Sequence, residues 1–124
     1  MTESSLTTDL LRELRARLPG AVVMKHSELR LSGVPDFSVT LGGRTSWFEV
    51  KYGPRIISKG IQQLTCARLA SAGMCRYIFF EEKRGVRRTL VLHPKHIDDL
   101  MPEVWHVGFN HRFVCDFVRQ VHGV

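Results

Sequence analysis

The sequence predicts an α/β architecture, a central four- to five-stranded mixed β-sheet flanked by α-helices. Three observations carry this. A leucine stripe at Leu6, Leu10, Leu11, Leu14 and Leu18 has the helical period, with Arg12, Glu13, Arg15 and Arg17 elsewhere on the wheel. Residues 36–41 and 46–51 alternate polar and apolar around Gly42-Gly43, a dipeptide suited to a two-residue turn with positive φ. Apolar segments at 75–80 and 89–93 follow a second helical pattern at 58–72. The strands before and after that helix then pair in parallel through a right-handed crossover.

Taken in order, Pro19-Gly20 ends the first helix and residues 21–25 form a short apolar strand. The hairpin 36–51 comes next, and Tyr52-Gly53-Pro54 breaks the chain. Ser58 is placed to cap the second helix, which runs to Ala72 and stops at Gly73. Residues 83–88 read as a turn between the next two strands, with Thr89 opening the second. Pro94 opens a short helix ending before Pro102, and Phe113, Val114, Phe117, Val118 and Val121 mark a last helix. The expected order is α-β-β-β-α-β-β-α-α. Residues 1–124 read as one domain, with 94–124 a C-terminal helical extension or a dimer surface rich in aromatic residues (Trp105, Phe109, Phe113, Phe117).

Bulk properties remove several classes. Hydrophobic content of 44% is that of a globular protein. No apolar run approaches the roughly 18 residues of a membrane span. The polar start Met1-Thr2-Glu3-Ser4-Ser5 is unlike a secretory signal. Cys66, Cys75 and Cys115 are odd in number and lack metal-binding spacing, so they read as reduced, buried thiols of a cytoplasmic protein. His93, His96, His106, His111 and His122 show no ligand pattern either. The net charge of +6 favours polyanionic partners. Lys25, His26, Arg55 and Lys59, with Arg84, Arg87 and Arg88 around a glycine turn, are the candidate phosphate contacts.

The hairpin concentrates the chemistry. With Gly42-Gly43 as the turn, Leu41 faces Arg44 and Asp36 faces Glu49, their Cβ atoms about 5 Å apart. Two carboxylates that close repel unless a cation stands between them. Lys51 projects from the same face as Glu49. Phe37, Val39, Leu41, Phe48 and Val50 take the other face, leaving Asp36, Glu49 and Lys51 with Ser38, Thr40 and Trp47. Glu3 lies on the inward stripe of the first helix, where a carboxylate either caps the helix start or reaches a buried cation. Gln62 shares its helix face with Cys66 and Leu69, so its amide either bonds nearby backbone or joins the site, whereas Gln63 points outward.

The run Glu3-x-x-Leu6, Gly33-Val34-Pro35-Asp36, Glu49-Val50-Lys51 and Gln62 with Leu69 and Gly73 resembles the VRR-NUC family of the PD-(D/E)xK nuclease superfamily. The resemblance spans about residues 2–92. The archaeal-type Holliday junction resolvases share the Glu, Asp and Glu-x-Lys positions. It implies a restriction-endonuclease-like core, and a bacterial or phage-encoded nuclease acting on DNA, including branched DNA, often as a homodimer. By the same resemblance Asp36, Glu49 and the Val50 carbonyl bind Mg²⁺ or Mn²⁺, and Glu3 contacts a metal directly or through water. Lys51 is the implied catalytic lysine and Gln62 the family's helical glutamine. The segment between them is one residue longer than the commoner form, which leaves Gln63 open beside Gln62. No organic cofactor and no membrane are implied.

This yields an expected activity, metal-dependent hydrolysis of phosphodiester bonds in DNA, with shape rather than base sequence recognised. The rival expectations are a non-catalytic DNA-binding protein that keeps the fold, and a small structural or regulatory protein.

Overall fold

The computed structural model describes residues 1–26, 33–57 and 60–124. The proposed Ser58 cap and the Lys59 phosphate contact lie outside the described residues. Helix α1 (Glu3–Arg17) starts at Thr2, whose side chain accepts from the Ser5 N–H while the Ser5 hydroxyl accepts from the Thr2 N–H. That reciprocal cap satisfies two amide donors that the first turn leaves over. It also frees Glu3 from capping and leaves it as the first helical residue.

Among the described residues six strands follow: β1 (Val22–Lys25), β2 (Phe37–Leu41), β3 (Arg44–Gly53), β4 (Met74–Lys83), β5 (Val86–Leu92) and β6 (Val104–Val107). They lie in the order β1-β2-β3-β4-β5-β6, with β3 and β4 parallel and every other pair antiparallel. Helix α2 (Gly60–Ala72) is the crossover between the parallel strands, and α3 (His111–Val121) closes the described chain. The β2–β3 register pairs Leu41 with Arg44 and Phe37 with Phe48, and both turn glycines have positive φ, 63° and 75°. A residue with a side chain would be strained at either place.

Alternation divides the side chains between two layers. Phe37, Val39, Phe48, Val50, Ile78, Phe80 and Val91 meet the α1 leucines and Val114, Cys115, Phe117 and Val118 of α3. The opposite face carries Cys75, Tyr77, Phe79, Leu90 and Leu92 against Cys66 of α2 and Ile97, with Trp47, Leu69 and Ala70 packed around them. The three cysteines are buried and form no disulfide. Among the described residues no helix is long and apolar enough to cross a membrane.

Two departures from the sequence reading sit in the C-terminal third. The helix expected from Pro94 is only a 3-10 turn, Pro94–His96, and β6 adds a sixth strand where none was expected. The partner of β4 begins at Val86, not at Thr89. The C-terminal end is tied back to the hairpin. His122, buried, bonds the Ser46 hydroxyl through Nε2 at 2.8 Å and donates from Nδ1 to the Leu41 carbonyl at 2.9 Å. At the β1 edge, the Arg15 guanidinium donates to the Val23 carbonyl at 3.0 Å.

Candidate active site

The loop of residues 33–36 delivers Asp36 to the start of β2. Gly33 has φ 86°, and a Cβ there would stand 2.6 Å from Ile61 Cγ2. This glycine therefore lets the loop rest directly on the first turn of α2. The register that pairs Phe37 with Phe48 carries on to set Asp36 opposite Glu49. The Asp36 N–H donates to Glu49 Oε1 at 3.1 Å, and the Val50 N–H donates to Asp36 Oδ2 at 2.7 Å. Each carboxylate thus holds the other's strand end in place.

Glu49 is 2% exposed. Its Oε2 stands 3.3 Å from Lys51 Nζ, and the same ammonium donates to Gln62 Oε1 at 2.9 Å. The lysine, two residues beyond Glu49 on one strand face, is thus held between β3 and α2. Glu3 approaches from the N-terminus of α1, accepting from the Tyr52 N–H, within electrostatic range of Lys51 and Asp36. Glu3, Ser4, Thr7, Lys25 and Asp36 line a recess of about 170 Å³. Larger hollows lie elsewhere, about 420 Å³ between α1 and the start of α3, and about 290 Å³ beside β6. Neither contains a carboxylate pair facing an ammonium in this way.

The electrostatics are lopsided. Burial, then the neighbouring Asp36 charge, pushes the Glu49 carboxyl up to about 8, against the pull of Lys51. Asp36 is raised by burial, opposed by the Val50 N–H and Lys51. Glu3 is raised by burial, opposed by Lys51 and reinforced by Asp36. Three carboxyl groups, each pushed toward its protonated form, thus crowd around Lys51 and Lys25. Among the described residues, no three His, Cys, Asp or Glu side chains already converge as a ready-made metal cage.

The candidate phosphate contacts divide. Lys25 is exposed beside Asp36. His26 stacks on Trp47 with ring centroids 5.0 Å apart and bonds the Ser38 hydroxyl at 2.8 Å. Arg55 is exposed two residues past β3, and Arg84 lies at the exposed β4–β5 turn. Arg87 and Arg88 do not join them in one patch. As neighbours on β5 they face opposite sides of the sheet, Arg87 pairing with Glu82 over Phe109 and Arg88 pairing with Glu81 over Trp105. Thr7 and Ser4 were missed by the sequence reading. Thr7 lies one helical turn beyond Glu3, a spacing that puts both on one face.

No protein-family model matches the sequence, and no curated protein matches it. Among solved structures the chain is similar to Hjc of Archaeoglobus fulgidus, a Holliday junction resolvase from an archaeal hyperthermophile, with a TM-score of 0.50 and 17% identity. The match covers 71% of this chain and 75% of that one. At this identity the likeness speaks for the fold. The six-stranded mixed sheet with its three helices is therefore a restriction-endonuclease-like fold of the resolvase type.

Proposed function

We propose that the chain is a divalent-metal-dependent endonuclease that hydrolyses phosphodiester bonds in DNA, acting on branched DNA such as a Holliday junction. One observation carries the reading. Asp36 and Glu49 are held side by side at the end of the β2–β3 hairpin, with the Lys51 ammonium 3.3 Å from Glu49 and fixed by Gln62. The resolvase-type fold supports it, and so does the net charge of +6. The Gly33-Val34-Pro35-Asp36 segment favours the VRR-NUC branch of these nucleases, and the work implies a cytoplasmic protein.

The donor set fits Mg²⁺ or Mn²⁺. Both carboxylates are hard oxygen donors raised by burial, Glu49 further by the Asp36 charge, and a cation relieves that load. The Val50 N–H turns toward Asp36, and in a strand a residue's carbonyl faces the same neighbour as its N–H. Asp36, Glu49 and the Val50 carbonyl would hold the ion, with Glu3 as a direct or water-bridged ligand. Positions remaining for water and phosphate oxygens are what Mg²⁺ sites usually keep. When bound, the ion acidifies water and neutralises charge on the scissile phosphate.

The protein's own groups supply position and charge. Lys51 presents its ammonium where negative charge grows on the phosphoryl oxygens. Gln62 holds that ammonium in place and has an amide N–H₂ besides for the attacking water or a phosphate. Lys25, exposed beside Asp36, and the exposed Arg55 and Arg84 supply positive charge for the DNA backbone.

The test uses labelled linear, flap and four-way-junction DNA with Mg²⁺, Mn²⁺ or EDTA. Metal-dependent cleavage that Asp36→Ala abolishes is expected. Junction binding without cleavage would favour a non-catalytic DNA-binding protein instead, and neither binding nor cleavage would remove the DNA reading altogether.

A further inference from the structure

The sheet face that carries Asp36 and Glu49 also carries a second group of side chains, which the hydrolytic chemistry does not use. Met24, Ser38 and Trp47 are successive register partners across β1, β2 and β3, so they share a face. Alternation puts Asp36, two residues before Ser38, and Glu49, two residues after Trp47, on that same face. His26 joins them. Its N–H donates to the Asp36 carbonyl at 2.7 Å, which continues the β1–β2 pairing past the end of β1. Its ring leans over β2 and stacks on Trp47, with centroids 5.0 Å apart and planes inclined by 30°. Two strand spacings, roughly 10 Å, separate β1 from β3. The rings meet across that gap because the residue between them, Ser38, is small. Ser38 is also buried, and its hydroxyl bonds His26 Nε2 at 2.8 Å, which fixes the orientation of the ring.

A stack whose task was to fill the core would be covered. His26 and Trp47 are both partly exposed, and Met24 beside them is 53% exposed. The face therefore presents a fixed, flat ring bordered by an adaptable thioether, next to the acidic pair.

We infer that the His26–Trp47 stack is a platform for one unstacked nucleobase, held beside Asp36 and Glu49 while the adjoining phosphodiester is cut. The inference rests on the nuclease reading of those two carboxylates and names the feature of the DNA that they would act beside. Two residues along a strand is roughly 7 Å, a reach that a nucleotide with its phosphate at the carboxylates covers with its own base. Aromatic rings, imidazole included, stack on unpaired bases with little regard to sequence. In continuous duplex every base is paired and stacked, and using the platform would cost that pairing. At a branch point, flap or single-stranded end the cost falls away, which favours interrupted DNA over plain duplex. His26 thus contributes ring surface in place of the phosphate contact expected from the sequence.

Junction binding, read by fluorescence anisotropy in EDTA, tests the platform independently of cleavage. His26→Ala should weaken binding about tenfold, and His26→Phe, which keeps a flat ring, should recover most of it. The loss should be equal between about 50 and 200 mM salt, because a stacked ring releases no counterion, whereas Lys25→Ala should flatten the salt dependence. An abasic nucleotide is then moved through the branch point one position at a time. At one position it should cost the wild type about the same tenfold and cost His26→Ala almost nothing. The platform is overturned if His26→Ala binds as the wild type does or if His26→Phe binds no better than His26→Ala. It is equally overturned if the deficit shrinks with salt, or if no abasic position distinguishes the two proteins. A wild type that binds no junction overturns the platform and the nuclease reading together. A wild type that shows the whole binding pattern yet never cleaves with Mg²⁺ or Mn²⁺ supports the platform and overturns the nuclease reading alone.

Discussion

Glu49 and Glu81 lie on adjacent strands, on the same face of the sheet, and are 2% and 6% exposed, yet they are held in opposite ways. Glu81 meets one guanidinium, Arg88 Nε at 2.6 Å, which rests over the Trp105 ring. One negative charge meets one positive charge, and the account closes. Glu49 meets a lysine at 3.3 Å, but Asp36 stands beside it and that lysine also bonds Gln62. Burial alone therefore does not mark a site. A buried carboxyl group becomes chemically useful where its neighbours disfavour its charge, so that a bound cation can take the place of its proton.

The largest expected effect separates the two pairs by activity. Lys51→Ala should lower junction cleavage by about 10²–10⁴ while leaving the fold intact, whereas Glu81→Gln should cleave at close to the wild-type rate. Equal losses in gel-based rates for the two variants would erase the distinction. Stability should rank them the other way. Glu81→Gln leaves Arg88 without its carboxylate and should destabilise by about 2 kcal/mol, moderated because Arg88 reaches solvent. Urea titration reads this, and an unchanged midpoint would make the pair incidental.

Gly33→Ala probes the joint between the Asp36 loop and α2. The added methyl would meet Ile61 at 2.6 Å from a backbone at φ 86°, so about 1–3 kcal/mol of stability should be lost. Cleavage should fall with it, because Asp36 and Gln62 are carried by the two surfaces forced apart. A variant that melts early but cuts normally would uncouple the joint from the site.

The smallest expected effect is a slope. Glu49 is pushed up to about 8 from an ordinary 4.5. The folded state therefore keeps a proton that the unfolded chain releases, and the favourable contribution is complete below the unfolded value. It is lost as pH rises toward the folded one. In EDTA the melting temperature should fall between about pH 4.5 and 8, and Glu49→Gln should flatten that fall. Added Mn²⁺ should oppose it in the wild type only. Parallel profiles for the two proteins would contradict the assignment of the slope to Glu49.

Much of the hairpin was legible because its rules are local. Gly42-Gly43 fixes the turn, the turn fixes the register, and the register opposes Asp36 to Glu49. Gln62 was legible from helical spacing against Cys66 and Leu69. The arginines were harder. With β5 taken to start at Thr89, Arg87 and Arg88 read as one basic turn. Once Val86 is the first strand residue, the same two side chains must diverge to opposite faces. β6 was not legible, since four residues with an open edge offer neither alternation nor full burial, and Pro94 suggested a helix. Glu81 and its closed pairing depend on a cross-strand partner, which local sequence does not name.

The His122 contact has a kinetic consequence. It joins positions 76 and 81 residues apart in the chain, at the far end of the hairpin that carries the acidic pair. Links over such separations are slow to form, because a long loop must close before it is rewarded. The β2–β3 turn and α3 should accordingly gain and lose hydrogen-exchange protection together, as one late-forming cooperative unit.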